Sequence, residues 1–407
     1  MTLDPEAWRR EWGRLLVLLT RRHRDVDLAE EALAEAYAAA AERWPVDGEP
    51  TNPAAWLFTA ANRRAIDLRR RESTRRAALG RLAEPPPTGS EQAQDPELRL
   101  LLLACQPGLS PHAQASLALR LALGLPTSSI ARLFLEQEAT TAARLTRAKR
   151  RLAAGLPDLD EPDRVELRRR AGLAVEVLHL TFTAGYAPAD GDLVVRADLA
   201  GEAIRLARLL ARLPRADRPE TLQPLLALML LQHSRRDART DPEGRLVLLE
   251  DQDRGRWRQD EIDEGLRLLA DLAPSTGRAE EFRLQALIAS EHASAPHPDA
   301  TDWPGIARHY AHLEALTRSP VVRLNRAVAV AWADGAGAGL ALLEGLEAAL
   351  PTSHRVPAVR AELLIRAGRR DDAVEAYRRA IDLCGNEAEL RHLRARLKHA
   401  ERVRPPA

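Results

Sequence analysis

No helix can pass through residues 84–96, Glu-Pro-Pro-Pro-Thr-Gly-Ser-Glu-Gln-Ala-Gln-Asp-Pro. Three successive prolines remove three amide donors and clash with the preceding turn, and nothing in the stretch is strongly apolar. The residues before it must close as one unit and those after it as another. Of the 407 residues only 4% are aromatic, and Ala, Leu and Arg dominate. Those residues lose little freedom in a helix and are poor strand formers. With 45% of the chain apolar, an all-α protein of two or three domains with a sizeable core is expected.

Global charge announces no partner. The formal net charge is +1, so a nucleic-acid surface has to be local. Lysine occurs only at Lys149 and Lys398, and a GC-rich coding sequence accounts for that arginine bias. Cys105 and Cys384 are far apart and neither belongs to a CxxC pair, a reduced intracellular profile with no thiolate metal site. The charged start Met-Thr-Leu-Asp-Pro does not read as a signal peptide, and no apolar run approaches the roughly 18 residues of a membrane span. A soluble, cytoplasmic protein without membrane contact is expected.

Residues 1–83 read as helices. Leu28, Ala32 and Glu35 or Ala36 fall at helical spacing, with acids on the opposite side. Asn52-Pro53 has the form of an N-cap followed by proline in the first turn. Beyond it Leu57, Ala61, Ala65 and Leu68 share one stripe, and Arg63, Arg64, Arg69, Arg70, Arg71, Arg75, Arg76 and Arg81 face only Asp67 and Glu72. Such a face is either a phosphate-binding surface or a solvated flank in an arginine-biased chain. Trp56 and Phe58 are either core, the commoner use, or a support for unpaired bases.

Residues 98–157 form a second unit. Leu125 to Phe134 reads as a short helix capped by Thr127 or Ser128, with Ile130, Ala131 and Phe134 inward. Leu135-Glu136-Gln137 makes a turn into a second helix, Glu138 to Leu152. Ala142, Leu145 and Ala148 are placed inward there, and Thr140, Thr141, Arg144, Arg147 and Lys149 outside. This is the pattern of a helix-turn-helix, in which Thr and Arg read base edges and Arg and Lys neutralise phosphates. An ordinary helical hairpin with a solvated basic face has the same spacing.

Residues 158–407 continue as helices. Ala373, Tyr377 and Ala380 have the spacing of a tetratricopeptide second helix, and a shift of about 34 residues, the period of that repeat, leads to Gly339, Leu343 and Leu346. Residues 165–320 carry no repeat that can be phased.

The first two units, in this order, resemble the two conserved domains of extracytoplasmic-function RNA polymerase sigma factors of the sigma-70 family, over roughly residues 8–155. Asp27-Leu-Ala-Glu-Glu-Ala-Leu-Ala-Glu-Ala resembles the region-two helix that packs on the polymerase β′ clamp helices; the resemblance implies that Asp27, Glu30, Glu31 and Glu35 make that contact. Residues 52–71 resemble the −10 element segment, which implies DNA contacts by Asn62, Arg63, Arg64, Asp67, Arg69, Arg70 and Arg71. Asn62 and Arg63 stand in exchanged order relative to the family's Ala-Arg-Asn-Arg-Ala-Ile-Asp. Residues 110–149 resemble region four, which implies −35 contacts by Glu138, Thr140, Thr141, Arg144, Arg147 and Lys149. The remainder resembles a subgroup with a long tetratricopeptide-like C-terminal extension, through residues 174–186, 248–257 and 325–331.

The implied organisation is sigma region 2 in residues 1–83, a Pro-rich linker in 84–97, sigma region 4 in 98–157 and a regulatory extension in 158–407. The implied partners are core RNA polymerase, through the β′ clamp helices and the β flap, promoter DNA, and an unidentified protein or ligand at the extension. In the subgroup that extension stands in for a membrane anti-sigma factor. No cofactor, metal or catalytic residue is expected: the chain has no Gly-rich phosphate loop, Ser/His/Asp arrangement or HExxH. His309 and His312 read as polar helix residues, and the acids from Glu250 to Glu264 as a segment salt-bridged to Arg254, Arg256 and Arg258. The competing class is a polymerase-independent helix-turn-helix regulator with a ligand- or partner-sensing repeat domain.

Overall fold

The computed structural model describes residues 5–76, 96–134, 136–154, 163–186, 193–241, 247, 249–385 and 387–402. Residues 84–95 of the expected linker lie outside these. Among the described residues the regular structure is entirely helical, nineteen α-helices and five 3-10 turns, and the chain is all-α as its composition requires.

Two compact units are formed: Met1–Ala187 with Val194–Pro219, and Pro188–Leu193 with Glu220–Ala407. The units part after residue 187, later than the expected division at 157/158. The start of the expected extension therefore belongs with the N-terminal helices.

In the first unit, α1 (Pro5–His23), α2 (Val26–Asp47) and α3 (Pro53–Arg76) pack on one another. Asp25 caps α2 by accepting from the amides of Asp27 and Leu28, each at 3.0 Å. Asn52 caps α3 through the Ala55 amide, 3.0 Å, as its sequence form predicts. The α3 stripe is buried at Leu57, Ala61 and Ala65, and Leu68 packs with Leu28 and Ala32 of α2. Trp56 sets its ring 5.5 Å from that of the buried Trp44, edge to face, which is core packing.

Next come α4 (Pro96–Ala104), α5 (Pro111–Leu121), α6 (Thr127–Leu133) and α7 (Glu138–Ala154). Ser110 caps α5 through the Ala113 amide. At the head of α6 the capping position is Pro126, with no side-chain cap, so neither Thr127 nor Ser128 serves as expected. Gly124 (φ +65°) turns the chain from α5 to α6 with the Trp12 ring pressed against its Cα; a Cβ there would lie 2.8 Å from the indole. The Trp12 Nε1–H donates to the Leu121 carbonyl, 3.2 Å. Then α8 (Arg164–Tyr186) packs on α4 and α5, and Arg205 of α9 (Leu193–Leu210) bridges Glu97 and Glu202.

The second unit is built around α10 (Leu222–His233), which is apolar and buried on every side from Pro224 to Leu231, as a central helix must be. It packs on α11 (Gln259–Ala270) and α12 (Gly277–Ser294). From there α13 (Trp303–Thr317), α14 (Pro320–Ala333) and α15 (Ala336–Leu342) follow, each against its predecessor. After the short α16 (Leu346–Ala349), α17 (Arg355–Arg366), α18 (Arg370–Leu383) and α19 (Glu387–Arg402) repeat that neighbour-to-neighbour packing. Gly339, Leu343 and Leu346 are buried, as are Ala373, Tyr377 and Ala380, so the two sets matched by sequence play the same inward part. The turns ahead of α15 and α18 need positive φ at Gly335 (+98°) and Gly368 (+75°).

The acidic segment at 250–264 is structural. Asp253 accepts from the Gly255 amide, Arg254 donates to the carbonyls of His292 and Ala295 (2.6 Å each), and its guanidinium lies 4.6 Å from the Trp257 ring centroid. Glu261 sits between His233 Nδ1 (3.0 Å) and Arg236 (2.8 Å). Burial works to raise that carboxyl, but the His233 hydrogen bond and the neighbouring charges outweigh it and hold it below the usual range.

Candidate nucleic-acid interface

The helical hairpin α6–α7 sets its residues by helix phase. Thr141, Leu145, Ala148 and Leu152 form the buried stripe of α7, while Ala142 is exposed. This corrects the expected phase. Thr141 is fully buried, with its hydroxyl 3.1 Å from Glu136 Oε2, and so is not a base-reading residue. Alanine marks neither face, whereas a threonine can be buried once its hydroxyl has a partner.

Arg144 is also corrected. Its Nη2 bridges both Glu136 oxygens (2.5 and 2.6 Å), its Nη1 lies 3.4 Å from Ser116 Oγ, and its side chain is only 16% exposed. It ties the turn to α5 instead of projecting outward. Glu136 is held below the ordinary carboxylate range, chiefly by the Arg144 hydrogen bond. A depressed carboxyl contributes stability above its unfolded pKa and loses it as pH falls through the folded one. The protection of α6 and α7 amides, corrected for intrinsic exchange, should therefore fall as acid protonates Glu136. Arg144→Ala should remove that acid dependence and cost about 1–3 kcal/mol, read as faster exchange at neutral pH; equal exchange in both proteins at pH 7 would refute the tie.

Glu138, Thr140 and Arg147 are exposed along α7, as expected. Arg150 and Arg151, not singled out from sequence, are exposed with them. Arg147 and Arg151 line a shallow groove of about 350 Å³ with the loop Gly108-Leu109-Ser110 at the head of α5. Gly108 (φ +92°) lets Arg151 lie against the backbone, since a Cβ there would meet its Nη2 at 3.1 Å. Guanidinium groups beside a helix N-terminus suit an anion such as a phosphate. The signal in the sequence was the continuation Arg147-Ala-Lys-Arg-Arg151.

On α3, Arg63, Asp67, Arg69 and Arg70 are exposed. Asn62 is half-buried and accepts from His23 Nε2 at 3.0 Å, so its amide oxygen serves the α1–α3 contact. Burial, followed by Arg69 and Arg22, keeps the His23 imidazole below its usual pKa against the Asn62 bond. Arg69 also donates to the His23 carbonyl, and Arg64 pairs with Glu35 (Nη2 to Oε1, 2.8 Å). The side chains of Arg71, Arg75, Arg76 and Arg81 lie outside the described residues.

The four acids of α2 expected to meet polymerase divide. Glu31 and Glu35 are exposed. Glu30 is 3% exposed and ion-paired with Arg120 of α5 and with Lys149 of α7 (2.6 Å). Asp27 lies 3.3 Å from the same Lys149; burial raises its carboxyl while Lys149 works against that. Glu30 and Lys149 were expected on free surfaces, and here each serves the other. A buried carboxylate needs cations around it, which helix periodicity along α2 alone does not reveal.

His309 lies 3.6 Å from Glu291. His354 Nε2 and Glu389 Oε2 are 2.7 Å apart, with Cys384 Sγ nearby and Arg355 3.7 Å from the other carboxylate oxygen. That carboxylate is thus already engaged by a histidine and an arginine where α17, α18 and α19 meet. Among the described residues no helix is long and apolar enough to cross a membrane.

These features define an all-helical protein with a basic helical hairpin in its first unit and serially packed helices in its second. The uncharacterized protein R00370 of Rhizobium meliloti (strain 1021) is 42% identical over 391 residues, spanning 94% of this chain and 92% of the relative. The chain belongs to the same family as that protein. A model of a family of unknown function, DUF6596, matches residues 170–273, which run from α8 through the Arg254–Trp257 clip to just beyond α11. The crystal structure of yeast Tom70 aligns over 96% of this chain and 82% of its own, at 11% identity and a TM-score of 0.29. That likeness is too slight to carry weight.

Proposed function

We propose that this protein is a sigma subunit that docks on core RNA polymerase, leads it to promoters through −10 and −35 contacts and is regulated by its C-terminal helical repeat. The observation that carries the reading is the hairpin α6–α7. It leaves Glu138 and Thr140 exposed at the start of α7 and Arg147 exposed further along, where it lines an anion-suited groove with Arg151. The ordered sequence resemblance over residues 8–155 supports it, as does the exposed basic face of α3 with Arg63 and Arg70.

The mechanism is one of binding. Thr140 and Glu138 face base edges, and Arg147 with Arg151 grip backbone phosphates. Opening the duplex costs about 1–2 kcal/mol per base-pair step, so the α3 surface must hold unpaired −10 bases more tightly than duplex. Docking on polymerase through Glu31 and Glu35, with the β flap as the second support, makes the two DNA contacts effectively intramolecular. The second unit, read as tetratricopeptide-like, takes a protein or ligand as regulator.

Promoter-specific transcription by full-length protein with core polymerase is the test. Removing one phosphate-gripping arginine should lower the salt slope of promoter binding by about one. Arg147→Ala combined with Arg151→Ala should therefore weaken promoter use roughly ten- to hundredfold at moderate salt, with an unchanged circular dichroism spectrum. If the protein alone bound operator DNA and core polymerase added nothing, the polymerase-independent regulator would be the better account.

A further inference from the structure

Within the first unit the helix-turn-helix segment is seated on α2 by charge. Glu30 is inserted between Arg120 and Lys149, and Asp27 meets the same lysine. Helix α2 packs broadly on α1 and α3, and these ion pairs link it to α5 and α7. A seam made of charges differs from an apolar core in what happens when it opens. Each buried ion regains its hydration, so a competing partner of the right sign can take it over at little net cost. Both halves of the seam are groups to which the sequence resemblance gives roles elsewhere, Asp27 and Glu30 on polymerase and Lys149 on DNA.

We propose that Glu30, clasped by Arg120 and Lys149, is an electrostatic latch that closes the helix-turn-helix onto α2 and masks Glu30 and Asp27 from polymerase and Lys149 from DNA. The masking half rests on the sigma reading; the latch itself does not. Polymerase and promoter bind the open form only, so each favours the other's binding by removing the same closed state.

Labels at Ala38→Cys on α2 and Arg150→Cys on α7, both exposed positions, report the seam by pulsed dipolar spectroscopy on the full chain; Cys105 and Cys384 are buried. Arg120→Gln removes the clasping charge and keeps an N–H for the Leu125 carbonyl that Arg120 now serves at 3.0 Å. Glu30→Gln breaks the latch from the other side. Both variants should lengthen and broaden the label distance, and Arg120→Gln should bind core polymerase about five- to fiftyfold more tightly than the parent. Unchanged distances in both variants would overturn the latch. Longer distances with equal polymerase binding by parent and Arg120→Gln would overturn the masking. Longer distances with no polymerase binding by any form would keep the latch and remove the sigma reading.

Discussion

Trp12→Ala should speed amide exchange in α1 and α5 by about a hundredfold to several thousandfold, the equivalent of about 3–5 kcal/mol for removing a buried tryptophan. The indole is 5% exposed, stands edge-on to Tyr37 with ring centroids 5.2 Å apart and donates to the Leu121 carbonyl. It also lies against Gly124, the residue that turns the chain from α5 into α6. Alanine would leave a cavity at this junction and an unpaired carbonyl at the end of α5, two costs that add. The change falls on an apolar contact between α1 and the end of α5, whereas the latch variants fall on the ion pairs that link α2 to α5 and α7. Trp12→Phe keeps most of the volume and loses the N–H, so it should recover most of the loss. If Trp12→Ala exchanged no faster than the parent, α1 would not be holding α5, and the closed arrangement of this unit would be wrong.

The same residues show which parts of the chain could be read without coordinates. Helical class, the Asn52 cap, the α3 stripe and the repeat positions Ala373, Tyr377 and Ala380 follow from local rules, in which spacing along one helix decides what is buried. Long-range pairing has no such signature. Glu30 is one of six acids on its helix, with Glu31 exposed beside it, and only Arg120 and Lys149, distant in sequence, make it a buried ion. Thr141 and Arg144 looked like groove residues because polar side chains were assigned to the outside, yet Glu136 turns both inward. The compact units likewise follow long-range packing: α8 lies beyond the expected division at 157/158, yet its apolar face, with Ala171, Ala174, Val175 and Leu178, is buried within the first unit.

In the second unit the largest effect is expected at Gly339. A Cβ there would lie 2.6 Å from the Ala327 carbonyl oxygen, 2.6 Å from the Ala331 Cβ and 3.0 Å from Leu363. The first of these is backbone and cannot swing aside, so α15 would have to lift off α14. Gly339→Ala gains about 1 kcal/mol of helix propensity and should still be destabilised, because overpacking of this kind costs about 1–3 kcal/mol or more. Gly339→Val adds two methyls to the same clash and should lose roughly 3–5 kcal/mol, seen as faster exchange in α14 and α15. The matching position one repeat on, Ala373, is itself fully buried and already accommodates a Cβ, so the two turns of the array are spaced differently although their sequences align. That difference supplies the control: Ala373→Gly should cost only about 1 kcal/mol, from propensity and a small void. Should Gly339→Ala prove as stable as the parent, the close approach of α15 to α14 would be refuted.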